Sequence, residues 1–351
     1  MTSHASDTTL EAWLQLLRSL QRTIRDGVVR ACEEQSLEAL SQADDDAQGD
    51  TIFAIDRVSE ELLLEQLEPA AAALGGVTLV AEGLADGELV LPRGSSRAAW
   101  RLIVDPIDGT RGLMYQKRSG WVLSALAPER GAATRLSDSV LAVQTEIPLV
   151  KQHLSDELWA IAGSGAHAER HDRLSGARRP LALKPSAATS THQGYAMLSR
   201  FFPGARAELA AIDDELALAL LGPTPPGKAL CFEEQYASSG GQLYELMIGH
   251  DRFNADLRPL MAPLLARQGH ALGLCCHPYD VCTALIAREA GVILTDAHGE
   301  PLDAPMSVAP DVAWVGYANA ALRDRVEPVL RAALARRGLL ALDTAGAQGN
   351  G

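Results

Sequence analysis

The chain has 351 residues, 47% hydrophobic and 22% charged, ordinary globular proportions that allow one large domain or two closely packed ones. Only 5% are aromatic, so the core has to come mainly from Ala, Leu, Val and Ile. Lys and Arg number 31 against 45 Asp and Glu, a formal charge of −14 that argues against binding a nucleic-acid polymer and suits an enzyme that gathers divalent cations.

Residues 1–9 read as a flexible N-terminus, without the basic start and apolar run of a secretory signal. Leu10, Trp13, Leu14, Leu17, Leu20, Ile24 and Val28 recur at helical spacing, which predicts an amphipathic helix over 10–40, broken near Gly27. The acidic run Asp44-Asp45-Asp46 reads as a solvated turn, and a second helix starts near Asp56 and ends at Pro69. Residues 77–80 read as a short strand leading to Glu82, and the polar, Gly-rich stretch 83–99 as a surface loop. Residues 101–104 form a buried strand with Asp105-Pro106-Ile107-Asp108-Gly109-Thr110 turning off its end, and further strands are expected at 121–127, 140–146 and 157–163. The stretch 167–190 reads as a linker with short strands. Helices follow over 205–221, 239–248, 281–290 and 324–337, with a strand at 292–296. No run approaches the roughly 18 apolar residues of a membrane span, so no membrane partner is expected. The five cysteines, Cys32, Cys231, Cys275, Cys276 and Cys282, lack a disulfide spacing and read as reduced thiols of a cytoplasmic protein. No CxxC pair supports a zinc site among the last three.

The most informative segment is 105–110. A buried strand delivers two carboxylates three positions apart, Pro106 fixes one φ angle, and Gly109 permits a sharp turn. Hard divalent cations need such convergent oxygens, and the Ile107 carbonyl can add another. A type I turn after a strand also favours Asp, Pro and Gly, so both readings stand on these residues alone. Glu82, Asp56 and Asp280 likewise sit at predicted element ends, where a helix cap is the plainer role for the two aspartates.

Five segments stand in order: Asp50 to Asp56, Glu82 after a strand, the DPIDGT turn, Glu157 to Ala166, and Asp280 to Gly291 with Thr295-Asp296 and Pro301-Leu302-Asp303 behind it. Through them the chain resembles, from about Trp13 to Arg336, the inositol monophosphatase family of Mg²⁺-dependent, Li⁺-sensitive phosphatases. The resemblance implies an α/β (α+β) fold, a layered αβαβα sandwich of the inositol monophosphatase and fructose-1,6-bisphosphatase type. It divides the chain into a half over 10–190 that carries DPIDGT, a half over 191–338 that completes the active site, and a disordered tail over 339–351.

The resemblance also implies Mg²⁺, two or three ions. A first would lie on Glu82, Asp105 and the Ile107 carbonyl, and a second on Asp105, Asp108 and Asp280. Glu82 and Thr110 would orient and deprotonate a water, with Asp56 hydrogen-bonded to Thr110. Asp108, Gly109, Thr110, Arg111, Ser239, Gly240 and His277 become the expected substrate contacts, and a homodimer the expected assembly. The chain departs from the family pattern at Gly83, where a second Glu is usual, at the acidic run around Asp45, at Arg111, and in a Pro- and Leu-rich insertion at 257–274 expected at the mouth of the substrate site. The activity so implied is a phosphomonoesterase acting on a small phosphorylated metabolite, an inositol phosphate or related sugar phosphate. A 3′(2′),5′-bisphosphate nucleotidase would use the same metal chemistry, although so few aromatics do not advertise a base-binding surface. The third reading is a metal-binding regulatory protein without catalysis.

Overall fold

Helix α1 (Asp7–Glu34) sets Trp13, Leu17, Leu20, Ile24 and Val28 in one fully buried stripe. It runs through Gly27 unbroken, because Ile24 and Val28 on either side are both anchored in the core and offset the roughly 1 kcal/mol that glycine costs a helix. The computed structural model describes residues 7–35, 43–45, 51–84 and 86–340, with side chains for 8–35, 63–84 and 86–340. The acidic run expected as a turn contributes instead to strand β1 (Ala43–Asp45), paired antiparallel with β2 (Thr51–Phe53). Helix α2 (Ala54–Ala73) follows directly and passes through Pro69.

An eight-stranded sheet comprises β3 (Val77–Ala81), β4 (Glu88–Leu91), β5 (Trp100–Asp108), β6 (Gly120–Pro128), β7 (Leu141–Ile147), β8 (Leu154–Ile161), β9 (Ala166–Asp172) and β10 (Arg178–Pro180). Its spatial order is β10-β9-β8-β7-β6-β5-β3-β4, antiparallel throughout except for the parallel pair β3 and β5. Strand β4 lies inside the stretch expected as a loop. Its Leu89 and Leu91 pair with Leu79 and Val77, an alternation too short to stand out among glycines.

A second sheet, in the order β11-β12-β14-β13, is formed by β11 (Tyr195–Leu198), β12 (Asp251–Asp256), β13 (Ile293–Thr295) and β14 (Trp314–Tyr317). The helices of the later chain are α3 (Thr110–Met114), α4 (Arg206–Leu221), α5 (Ser239–Ile248), α6 (Ala262–Arg267), α7 (Ala284–Glu289) and α8 (Ala320–Arg336). Helix α7 is shorter than expected, because residues Tyr279–Val281 form a separate 3-10 turn that carries Asp280.

Strand periodicity sorts the core into layers. On one face of the large sheet Leu102, Val104, Val122 and Val143 pack against Trp13, Leu17 and Leu67 of α1 and α2. On the other, Ile103, Leu123 and Ala125 meet Leu243 and Met247 of α5 and Ile286 of α7, and the same cluster reaches Leu294 and Trp314 of the second sheet. The far face of that sheet, through Phe253 and Val315, is covered by Leu209 and Ile212 of α4 and Val326 and Leu330 of α8. The result is the expected αβαβα sandwich. No described helix is long and apolar enough to cross a membrane.

Candidate active site

Strands β3 and β5 run parallel, with Ala81 paired to Val104. Their next residues therefore come side by side, Glu82 just past the end of β3 and Asp105 still within β5. Asp105 and Asp108 are three positions apart and would face opposite sides of a regular strand. Against β6, however, Asp105 pairs with Leu123 and Asp108 with Trp121, so β5 carries one extra residue across this interval. That bulge turns Asp108 back to the face of Asp105. The Ile107 N–H closes it by donating to Asp105 Oδ1 at 3.0 Å. Gly109 then takes the left-handed φ of 86° that a side chain would disfavour.

Asp280 arrives from the other half of the chain, its Oδ2 accepting the His277 N–H at 2.5 Å. Carboxylate oxygens of Asp105, Asp108 and Asp280 lie within 4.8 Å of one another, and Glu82 lines the same cavity. Burial holds the Asp105 carboxyl well above the ordinary carboxylate range, and the charges of Asp108, Asp280 and Glu82 push it further. Asp280 is raised by burial and then by Asp108. Asp108 is pushed up to about 7 by burial, although hydrogen bonds from Ser238 and from the start of α5 pull it back. Such crowded acids repel one another as anions, and a cation bound among them removes that penalty. The donor set thus fits a hard divalent ion. Among the described residues no other group of three His, Cys, Asp or Glu converges in this way, and the five cysteines are free thiols.

The Asp108 carboxylate is clamped. Its Oδ2 accepts the Ser238 hydroxyl at 2.8 Å and the Gly240 N–H at 2.6 Å, while Ser238 Oγ also accepts the Gly241 N–H at 2.9 Å as the N-cap of α5. A Cβ on Gly240 would come within 2.6 Å of Leu123 and 2.9 Å of Asp108 Oδ2, so only glycine admits this approach. The Thr110 hydroxyl donates to the Ile107 carbonyl at 2.8 Å.

These layers and this site can be set beside solved structures. The SuhB extragenic suppressor protein of Bartonella henselae is 16% identical with a TM-score of 0.63, covering 91% of this chain and 98% of its own. The inositol monophosphatase of Thermotoga maritima is 16% identical with a TM-score of 0.59, over 93% and 99%. Fructose-1,6-bisphosphatase of Leishmania major is 13% identical with a TM-score of 0.64, over 94% and 96%. The chain has the inositol monophosphatase fold. No family model and no curated protein matches the sequence.

Within the inositol monophosphatase fold, the cavity at the carboxylates has a volume of about 90 Å³. Glu82, Asp105, Ile107, Asp108, Gly109, Thr110, Arg111, Ser239 and Asp280 all line it. Two expected contacts do not. His277 turns away, its Nδ1 lying 3.1 Å from the Pro310 carbonyl oxygen and its ring stacked on Tyr279. Gly240 has committed its N–H to Asp108. The side chain of Asp56, and Asp50 altogether, lie outside the described residues.

The wall opposite the carboxylates holds residues the sequence did not single out. Phe201 and Phe202 line the cavity, and Arg258 lies over both rings, 4.3 Å and 5.2 Å from their centres. Arg258 is buried and forked onto Asp256, and it donates to the Leu274 carbonyl at 2.9 Å. It thereby ties the 257–274 insertion to the cavity wall. Arg111 lies 5.4 Å from the Phe202 ring centre. An acidic residue two places before an arginine, at a strand end, was the available signal for Arg258; nothing local marked the phenylalanine pair.

Proposed function

We propose that the protein is a Mg²⁺-dependent phosphomonoesterase that releases inorganic phosphate from a small phosphorylated metabolite, an inositol phosphate or related sugar phosphate. The convergence of Asp105, Asp108 and Asp280 beside Glu82 and Thr110 in one cavity carries this reading. When bound there, Mg²⁺ supplies a low-pKa water, neutralises phosphate oxygens and stabilises the leaving alkoxide. Glu82, Asp105 and the Ile107 carbonyl would hold one ion, and Asp105, Asp108 and Asp280 the other. Glu82 and Thr110 orient the attacking water, and Glu82 takes its proton. Arg111 and Ser239, which line the cavity, would hold the alcohol portion of the substrate. The protein acts in the cytoplasm, and as a homodimer.

One observation favours the nucleoside bisphosphate reading over the sugar phosphate one. The cavity lining includes two phenylalanines, Phe201 and Phe202, with the Arg258 guanidinium over both rings, a planar cationic and aromatic surface suited to a base. A phosphate-release screen over inositol phosphates, sugar phosphates and nucleoside bisphosphates, with Mg²⁺ and with EDTA, decides both points. Release that requires Mg²⁺ and is inhibited by Li⁺ is expected. Equal rates with EDTA and with Mg²⁺ would remove the metal from the mechanism, and no release from any class would leave the regulatory reading in its place.

A further inference from the structure

A second cavity, of about 360 Å³, opens at the same end of the β6–β7 pair, where Trp121 stands between Asp108 of β5 and Glu146 of β7. That volume is within the range of small-molecule sites, roughly 300–1,000 Å³. Most of its charged groups neutralise one another. Arg170 is forked onto Asp156 through two contacts of 2.6 Å, and Glu245 accepts from Arg118 at 2.7 Å and lies 2.5 Å from His250. Among the described residues, two charged lining residues have no ion pair: Glu146 within the cavity and the exposed Lys117.

Glu146 is the cross-strand neighbour of Trp121. Its Oε1 accepts the Ser119 hydroxyl at 2.6 Å and its Oε2 the Asp156 N–H at 3.1 Å. Each carboxylate oxygen can accept two hydrogen bonds, so capacity remains on both. A carboxylate taken out of water without an ion-pair partner is costly, and burial, with the neighbouring Asp156 charge, pushes this one up to about 7 against the Ser119 hydrogen bond and the more distant Arg170 charge, which lower it. The Tyr236 ring already carries the Arg118 guanidinium, 4.1 Å from its centre, so the rings left to favour an ammonium group are Trp121 and Tyr244. Leu149 and Leu154 add apolar surface to the lining.

From the unpaired buried carboxylate, the aromatic walls and the unpaired exposed lysine, we infer that this cavity binds a small zwitterion of the α-amino-acid class with an apolar side chain. The ammonium group sits on Glu146 among the rings, the carboxylate faces Lys117, and the side chain lies against the leucines. The cavity also touches the catalytic clamp. The Tyr236 hydroxyl accepts from Trp121 Nε1 at 2.8 Å and donates to the Ser119 carbonyl at 2.7 Å, and Ser238, two residues on, holds Asp108.

The test is calorimetric titration of the full chain, free of metal and substrate, with L-leucine, with 3-methylbutylamine, which lacks the carboxylate, and with 4-methylpentanoate, which lacks the amine. Leucine should bind once per chain, and each analogue at least about tenfold more weakly. Glu146→Gln, which is nearly isosteric, should weaken leucine by at least about tenfold, and Lys117→Ala, at an exposed position, by about threefold. No saturable heat up to about 10 mM leucine overturns the assignment. So does an amine that binds as tightly as leucine, or a Glu146→Gln protein of native circular dichroism with unchanged affinity. Because the readout needs neither turnover nor Mg²⁺, its result is independent of the phosphatase reading.

Discussion

The backbone N–H of Gly240 donates to Oδ2 of Asp108 at 2.6 Å, across a gap too narrow for a side chain. One oxygen of that carboxylate is thereby fixed to the start of α5. Gly240→Ala should force Leu123 or Asp108 to move. We expect a loss of about 1–3 kcal/mol in unfolding free energy. Turnover should fall by about a hundredfold, since a displacement of 1 Å at a reacting centre has that effect. Urea denaturation and phosphate release measure the two, and a variant with normal turnover would show that the clamp does not position Asp108 for catalysis.

The crowded acids give opposite effects with and without metal. Asp280→Asn removes one of three mutually repelling buried carboxylates, so the thermal midpoint in EDTA should rise above that of the wild type. Mg²⁺ should then stabilise the wild type, by about 2.7 kcal/mol at a hundred times its dissociation constant, and leave the variant nearly unchanged. Thermal scans across a Mg²⁺ series provide the check; a wild type indifferent to Mg²⁺ would speak against an ion among these groups.

Arg258 donates from each of its three nitrogens, to Asp256 and to the Leu274 carbonyl, while covering Phe201. Arg258→Ala should destabilise by about 3–5 kcal/mol, because it strands a buried Asp256 carboxylate. Arg258→Ala with Asp256→Ala should recover part of that loss. A double-mutant cycle by chemical denaturation checks the coupling, and strict additivity would mean that the pair contributes nothing jointly.

Glu146 supplies a pH signature away from the proposed metal ligands. It faces Ser119 just ahead of β6, Trp121 on β6, Asp156 on β8 with Arg170 on β9, and Tyr236 and Tyr244 across the cavity. Its carboxyl is raised from 4.5 to about 7, so the folded state holds the proton more tightly than the unfolded chain. The stability this provides is complete below pH 4.5 and is lost as pH climbs through 7. Glu146→Gln lacks this loss. Relative to the wild type it should therefore gain stability between those values, reaching about 3 kcal/mol above pH 7. Denaturation curves at pH 5 and pH 8 that differ equally for both proteins would contradict it.

The parts of this molecule that could be read in the sequence are those with local causes. The α1 stripe, the buried strand ahead of DPIDGT and the extent of α5 follow from periodicity or capping, and the structure reproduces them. The break at Gly27 was misjudged because a long buried face overrides one glycine. Strands β11, β12 and β14 were missed: each is six residues or fewer and gains its place from partners far along the chain. At the site, carboxylates at element ends were legible, and their meeting in space was an expectation of the family resemblance. The cavity's opposite wall was not legible. Phe201 and Phe202 lie in a turn ahead of α4, and only the fold of the 257–274 segment brings Arg258 onto them.

Synthesis order gives the Asp280 turn one more consequence. A ribosome delivers Glu82, Asp105 and Asp108 early, at neighbouring strands, and Asp280 only after two of the second sheet's four strands have emerged. A nascent or prematurely terminated chain lacks the third carboxylate of the Asp105, Asp108 and Asp280 cluster. On the proposed function, metal capture of the native kind would mark a polypeptide translated past that residue.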